Sequence, residues 1–189
     1  MLPILKSKLV ISGFFGSATL LGLASTARAQ CLPIVNEYSG QCMAVTGGNM
    51  APDTPIIEWP CIGTPDQYWE LYDAPNANGF LIHNCGSSSW MCLAATADHA
   101  SEGAQLLLEE CFVKKIPATF DVWIPNEISY GDFDVQVLTN VDTHWVAAVS
   151  LGANTGSPPG TRPGTGIIQW LNQTNFTPGV HTEQQWRWF

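Results

Sequence analysis

Basic residues are scarce. Seven Lys and Arg stand against 16 Asp and Glu in a chain of 189 residues. A surface of that sign repels phosphate backbones and anionic membranes, which excludes the nucleic-acid-binding class. Helical periodicity is almost absent, and so is any Cys-x-x-Cys pair. The first absence argues against a helical bundle, and the second against a zinc ribbon or finger. His83, His99, His144 and His181 are too dispersed to suggest a metal site. No Gly-x-Ser-x-Gly, His-Glu-x-x-His or phosphate-binding loop occurs, which removes the usual hydrolase, metalloprotease and nucleotide signatures. Carboxylates such as Glu102, Glu109, Glu110, Asp132 and Asp134 are plentiful, but nothing beyond their number suggests a general acid and base. Neither catalysis, a cofactor nor a metal is expected. Beyond residue 29 no apolar run is long enough to span a bilayer.

What is present begins with a targeting segment. Lys6 and Lys8 precede an apolar stretch over residues 9–24, and Ala27-Arg28-Ala29 offers a small-x-small cleavage site before Gln30. Residues 1–29 therefore read as a signal peptide and residues 30–189 as a single domain, secreted or periplasmic. Gln30 in front of Cys31 argues against lipidation, which favours a small residue there. Cleavage removes Lys6, Lys8 and Arg28 and no acid, leaving four basic residues against 16 acidic ones, a formal charge of −12.

All six cysteines follow the cleavage site, and an even count in an exported chain reads as disulfides. A threefold internal repeat organises them. The first copy opens at Gln41-Cys42-Met43-Ala44-Val45-Thr46, reaches Ile56-Ile57-Glu58-Trp59-Pro60-Cys61 and closes at Gln67-Tyr68-Trp69. The second runs from Met91-Cys92-Leu93-Ala94-Ala95-Thr96 through Leu107-Leu108-Glu109-Glu110-Cys111 to Asp121-Val122-Trp123. The third reads His144-Trp145-Val146-Ala147-Ala148-Val149, then Ile167-Ile168-Gln169-Trp170-Leu171-Asn172, then Gln184-Gln185-Trp186. In this third copy Trp145 and Asn172 take the two cysteine places, a joint loss of the kind a bonded pair would show. The repeat thus assigns Cys42–Cys61 and Cys92–Cys111, while Cys31 and Cys85 either pair or stay free. Twelve short apolar or alternating runs lie between turn-forming clusters: 31–36, 42–46, 55–59, 68–72, 79–83, 91–96, 104–109, 120–124, 133–139, 144–150, 166–171 and 185–189. They predict an all-β domain of three four-stranded repeats, over about 30–74, 75–127 and 128–189. Trp69, Trp123 and Trp186 recur at one place in each copy, as shared core residues do. The Gly- and Pro-rich segment 152–166 is an insertion in the third copy, read as a surface loop or as a contact arm for a partner.

The combination Cys-x-Ala … Ile-Glu-Trp-Pro-Cys … Gln-x-Trp, recurring over the mature chain, resembles the ricin-type lectin family. The resemblance implies a β-trefoil, stapled here by disulfides, with a shallow sugar pocket in each repeat. It also implies an aspartate two residues after the first cysteine, an aromatic ring before the second cysteine with a Gln two residues ahead of that ring, and an Asn-Gln pair at the Gln-x-Trp motif. The aspartate place falls on Ala44, Ala94 and Ala147. Trp59 and Trp170 keep the aromatic place, Glu109 replaces it in the second copy, and Ile57 and Ile168 stand at the Gln place. Asp66-Gln67 and Glu183-Gln184 stand for the Asn-Gln pair. The candidate carbohydrate contacts are Trp59, Glu58, Asp66 and Gln67 in the first copy, with Trp170 and Gln169 in the third. The two Trp rings are sugar platforms, apolar docking points for a partner, or half-buried strand residues. The resemblance implies a lectin-like module that binds a glycan or glycoprotein. The alternatives are a protein-binding or cell-binding subunit of a multi-subunit bacterial toxin of the cytolethal distending kind, acting with a separate effector polypeptide, or a β-trefoil inhibitor.

Overall fold

A computed structural model of the chain describes residues 30–75, 77–95, 101–111, 121–129, 134–150, 162–174 and 181–188. Residues 1–29, the expected signal peptide, and most of the 152–166 insertion lie outside them. Twelve strands occur among the described residues: β1 Leu32–Asn36, β2 Cys42–Val45, β3 Thr54–Trp59, β4 Tyr68–Asp73, β5 Phe80–Asn84, β6 Met91–Ala94, β7 Leu107–Glu110, β8 Val122–Ser129, β9 Asp134–Asn140, β10 Val146–Val149, β11 Ile167–Trp170 and β12 Trp186–Trp188. Each falls on one of the runs predicted from sequence. β8 differs most, continuing past residue 124, where the predicted run ends, to Ser129. Pro125 pairs with Leu138, and the Asn126 side chain donates to Thr139 Oγ1 at 3.0 Å across the ribbon. Among the described residues β5 pairs with β8 only at Val122 and Trp123, so Pro125 lies where one edge of the strand has no ladder partner, a place that tolerates proline.

Six strands close on themselves. β1 pairs with β12 and β4, β4 with β5, β5 with β8, β8 with β9, and β9 with β12. Closure removes the unpaired edges that make open sheets prone to association. The remaining strands form three hairpins, β2–β3, β6–β7 and β10–β11. Hairpin contacts link the repeats: β3 pairs with β7, and isolated bridges join Ile57 to Gly166 and Gln105 to Ile168. This is the trefoil arrangement, with four strands per repeat.

The core repeats three times. Trp69, Trp123 and Trp186 are fully buried. Their indole N–H groups donate to the carbonyls of Met43, Leu93 and Ala147 at 3.0, 2.9 and 2.9 Å. Each ring contributes a large apolar area while its one polar atom is satisfied. These three bonds also set the register between repeats, making Met43, Leu93 and Ala147 equivalent. The equivalent of Cys42 and Cys92 is therefore Val146, and the equivalent of Ala44 and Ala94 is Ala148. This corrects the sequence alignment, which put Trp145 and Ala147 at those places. The run Trp-Val-Ala-Ala accepts two registers one residue apart, and in a strand a one-residue slip exchanges the two faces.

All six cysteines are bonded, as Cys42–Cys61, Cys92–Cys111 and Cys31–Cys85. The third bond closes a longer loop, with a separation of 54 residues against 19 for the others.

Candidate functional site

The alternation of the β2–β3 hairpin decides which side chains are available. Met43 faces Glu58 and Val45 faces Ile56 on the inner side, where all four are buried. Ala44 faces Ile57, and Cys42 faces Trp59, on the opposite side. Successive side chains of a strand point to opposite faces, so Trp59 is 40% exposed while its neighbour Glu58 is 0% exposed.

Ala44, Ile57 and Trp59 line an open cleft of about 820 Å³. Thr46, Gly47, Gly48 and Met50 line it from the turn after β2, and Ile62, Thr64, Pro65 and Asp66 from the loop before β4. Gly86 of the second repeat and Gly164 of the third complete the lining. Asp66 is the one charged residue among the described residues that line it. It lies on a 3₁₀ turn, Pro65–Gln67, and its carbonyl accepts a 2.9 Å hydrogen bond from the Asn84 side chain.

Each hairpin tip rests on the next repeat. The backbone N–H of Gly164 donates to Glu58 O at 2.8 Å, that of Gly103 to Gln169 O at 2.7 Å, and that of Asp53 to Leu108 O at 3.0 Å. All three residues have positive φ, at 87°, 85° and 63°. A β-carbon built on Gly164 would lie 3.9 Å from the Trp59 ring, and one built on Gly103 would lie 3.6 Å from the Trp170 ring. Glycine thus borders the tryptophan in both repeats that keep one, whereas Asp53 stands at this place beside the repeat with Glu109.

Several expected sugar contacts are placed elsewhere. Glu58 is buried, and the Ser39 hydroxyl donates to its Oε1. Burial pushes its carboxyl up to about 8, against the opposing pull of the Ser39 hydrogen bond. Glu58 is therefore a neutral acid at most working pH values and does not enter the cleft. Gln169 holds the same place in the third repeat: it is buried, and the Thr143 hydroxyl donates to its Oε1 at 2.7 Å. Gln67 is buried and staples its own loop. Its Oε1 accepts from the backbone N–H groups of Ile62 and Gly63 at 3.0 Å each, and its Nε2 donates to Pro60 O at 2.7 Å. Gln184 does the same with Gln173 N and Leu171 O. The Gln of the Gln-x-Trp motif therefore shapes the loop and leaves sugar contact to others. Of the expected set, Trp59 and Asp66 reach the cleft. Trp170 is half-buried beside an exposed Leu171.

Sequence reasoning missed a triad of asparagines. Asn36, Asn84 and Asn140 end β1, β5 and β9, and all are fully buried. Asn36 Oδ1 accepts from Tyr38 N and Ser39 N, Asn84 Oδ1 from Gly86 N, and Asn140 Oδ1 from Asp142 N and Thr143 N. Asn36 Nδ2 also ties down Glu183 O, as Asn84 does Asp66 O. The signal was available: an Asn closes the apolar run before each copy's hairpin.

Comparison with known proteins accords with this geometry. Residues 23–109 match the family model described as ricin-type beta-trefoil lectin domain-like. Among solved structures, the designed three-fold symmetric protein ThreeFoil superposes with a TM-score of 0.64 at 18% identity, over 84% of this chain and 96% of that one. The ricin B-like lectin of Macrolepiota procera, solved with lactose, gives 0.59 at 16% identity, over 85% and 94%. A chain of the cytolethal distending toxin of Actinobacillus actinomycetemcomitans gives 0.58 at 13%, over 84% and 89%. No curated protein sequence matches.

Proposed function

Since this chain carries a ricin-type β-trefoil lectin-like domain, we propose that it is a secreted carbohydrate-binding module with no catalysis of its own, working through the repeat-one cleft. The observation that carries the reading is Trp59: a 40% exposed indole forming the wall of an open cleft that also holds Asp66. An aromatic face stacks on the apolar face of a pyranose, and a carboxylate accepts hydrogen bonds from its hydroxyls more strongly than a neutral acceptor would. Trp170 offers a second, weaker platform, and two weak sites on one body gain from a multivalent glycan surface. Three disulfides support export to an oxidising compartment. No helix among the described residues is long and apolar enough to cross a membrane.

The test is a glycan array and solution titration with the mature protein, alongside Trp59→Ala and Trp170→Ala. Binding at millimolar or better affinity that falls at least tenfold in Trp59→Ala is expected. Binding that survives both substitutions together, or none to any glycan, overturns the reading. The apolar lining and Ile62, 63% exposed at the cleft, favour one second reading, a docking site for an apolar side chain of a partner polypeptide. That reading predicts Trp59-dependent binding to a protein and none to a free sugar.

A further inference from the structure

Resting on the carbohydrate reading of this cleft, we infer that it selects pyranosides bearing a methyl group beside their stacking face over the parent sugars with a hydroxyl there. Three observations lead to this class. First, among the described residues the floor next to Trp59 has no polar side chain: Ala44 lies across from Ile57, and Met50 also lines the cleft. Trp59 and Ile57 share one face of β3, two residues apart. That spacing is about 7 Å, so a ring stacked on Trp59 extends an exocyclic carbon over Ile57. A hydroxyl placed there loses its water without a new partner, whereas a methyl gains contact. Second, the polar groups gather along other parts of the lining. Asp66 and Thr64 lie on the loop before β4, and the Thr46 hydroxyl already donates to Pro55 O at 2.7 Å. One edge of the ligand is therefore hydrogen-bonded and the other dry. Third, the same pairing of alanine with a branched aliphatic recurs as Ala94 with Leu107 and Ala148 with Ile168. An alanine paired with a branched aliphatic is thus common to the three hairpins, so Ile57 opposite Ala44 is not an isolated change in the first repeat. Asp66 is also the one charged group among the described residues that line the cleft, so sialylated, sulfated and uronic sugars meet repulsion from it.

The experiment titrates the mature, oxidised protein with matched sugar pairs, followed by calorimetry or tryptophan fluorescence. The pairs are 6-deoxy-D-galactose against D-galactose, L-rhamnose against L-mannose, and N-acetyl-D-glucosamine against D-glucose. In an apolar pocket, an added hydroxyl that finds no partner, or an extra methyl that gains contact, changes affinity by roughly tenfold or more. The methyl-bearing member of at least one pair should bind about tenfold tighter, and the responding pair distinguishes a ring-carbon methyl from an acetamido methyl. Ile57→Gln, with its fold checked by thermal unfolding, should bring that ratio close to one. If that variant fails to fold, the paired comparison on the unaltered protein decides alone. Trp59-dependent binding with equal affinities, or with the hydroxylated member preferred in every pair, overturns the selectivity and leaves the carbohydrate reading standing. Absence of Trp59-dependent binding to every sugar overturns the carbohydrate reading, and the selectivity falls with it.

Discussion

Glu58→Gln tests the interior beneath the cleft. In the folded chain the Glu58 carboxyl titrates near 8 rather than at the ordinary 4.5, because it is buried. An acid whose folded value is raised holds its proton in the native state after the unfolded chain has released it. Its folded environment is therefore without cost below about 4.5. The protein then loses stability as pH rises from there to about 8, and the loss is complete above 8. A shift from 4.5 to about 8, at about 1.4 kcal/mol per unit, gives a total on the order of 5 kcal/mol. No solvent discount applies, since the residue is fully buried. Glutamine should fit, because Gln169 already holds the equivalent place and accepts from Thr143 as Glu58 accepts from Ser39. Urea unfolding of the mature, oxidised protein, followed by tryptophan fluorescence from pH 4 to 9, measures the effect. Wild type and Glu58→Gln should agree within about 1 kcal/mol near pH 4, and the variant should be more stable by several kcal/mol at pH 9. Parallel pH profiles for the two proteins would refute the reasoning, as would a variant whose relative stability falls with rising pH.

Two further outcomes follow from the same contacts. Replacing Cys42 and Cys61 together by serine opens a loop of separation 19 and should cost about 3 kcal/mol, whereas opening Cys31–Cys85, with separation 54, should cost about 4 kcal/mol; denaturant midpoints under identical conditions check the order. Gln67→Ala removes three hydrogen bonds to the loop over residues 60–63, and should lower stability by about 2 kcal/mol. It should also weaken ligand binding without direct contact, through a raised dissociation rate, and restored binding under conditions that stabilise the fold would confirm its positioning role.

Much of the architecture was legible because it repeats. Twelve apolar runs became twelve strands, since alternation and turn residues are local signals. Trp69, Trp123 and Trp186 were readable as core because one large residue returned at one place in each copy. The paired loss of cysteines in the third copy stayed legible even though its register was off by one, as Trp-Val-Ala-Ala suits either face. Glu58, Gln67 and Gln169 misled for a related reason. Glu58 and Gln169 each precede an outward-facing tryptophan in sequence, where a polar side chain looks like a second ligand contact, but strand alternation turns them inward. Gln67 lies on a 3₁₀ turn, and the backbone of its own loop takes up its side chain. The asparagines at 36, 84 and 140 were passed over because their partners are backbone groups of turns, up to 149 residues away for Asn36.

The sequence by itself therefore determined the strand pattern, the threefold repeat and two of the three disulfides, all properties of spacing along the chain. It also determined that alanine and aliphatic residues stand where a polar anchor would be. Tertiary structure decided which of these residues share a space. It brought Gly164 of the third repeat and Gly86 of the second to the walls of a cleft floored by the first. It also separated Glu58 from Trp59 by one turn of the pleat. A binding surface is a set of side chains that face one way at one place, and closing three repeats on a common core is what selects that set.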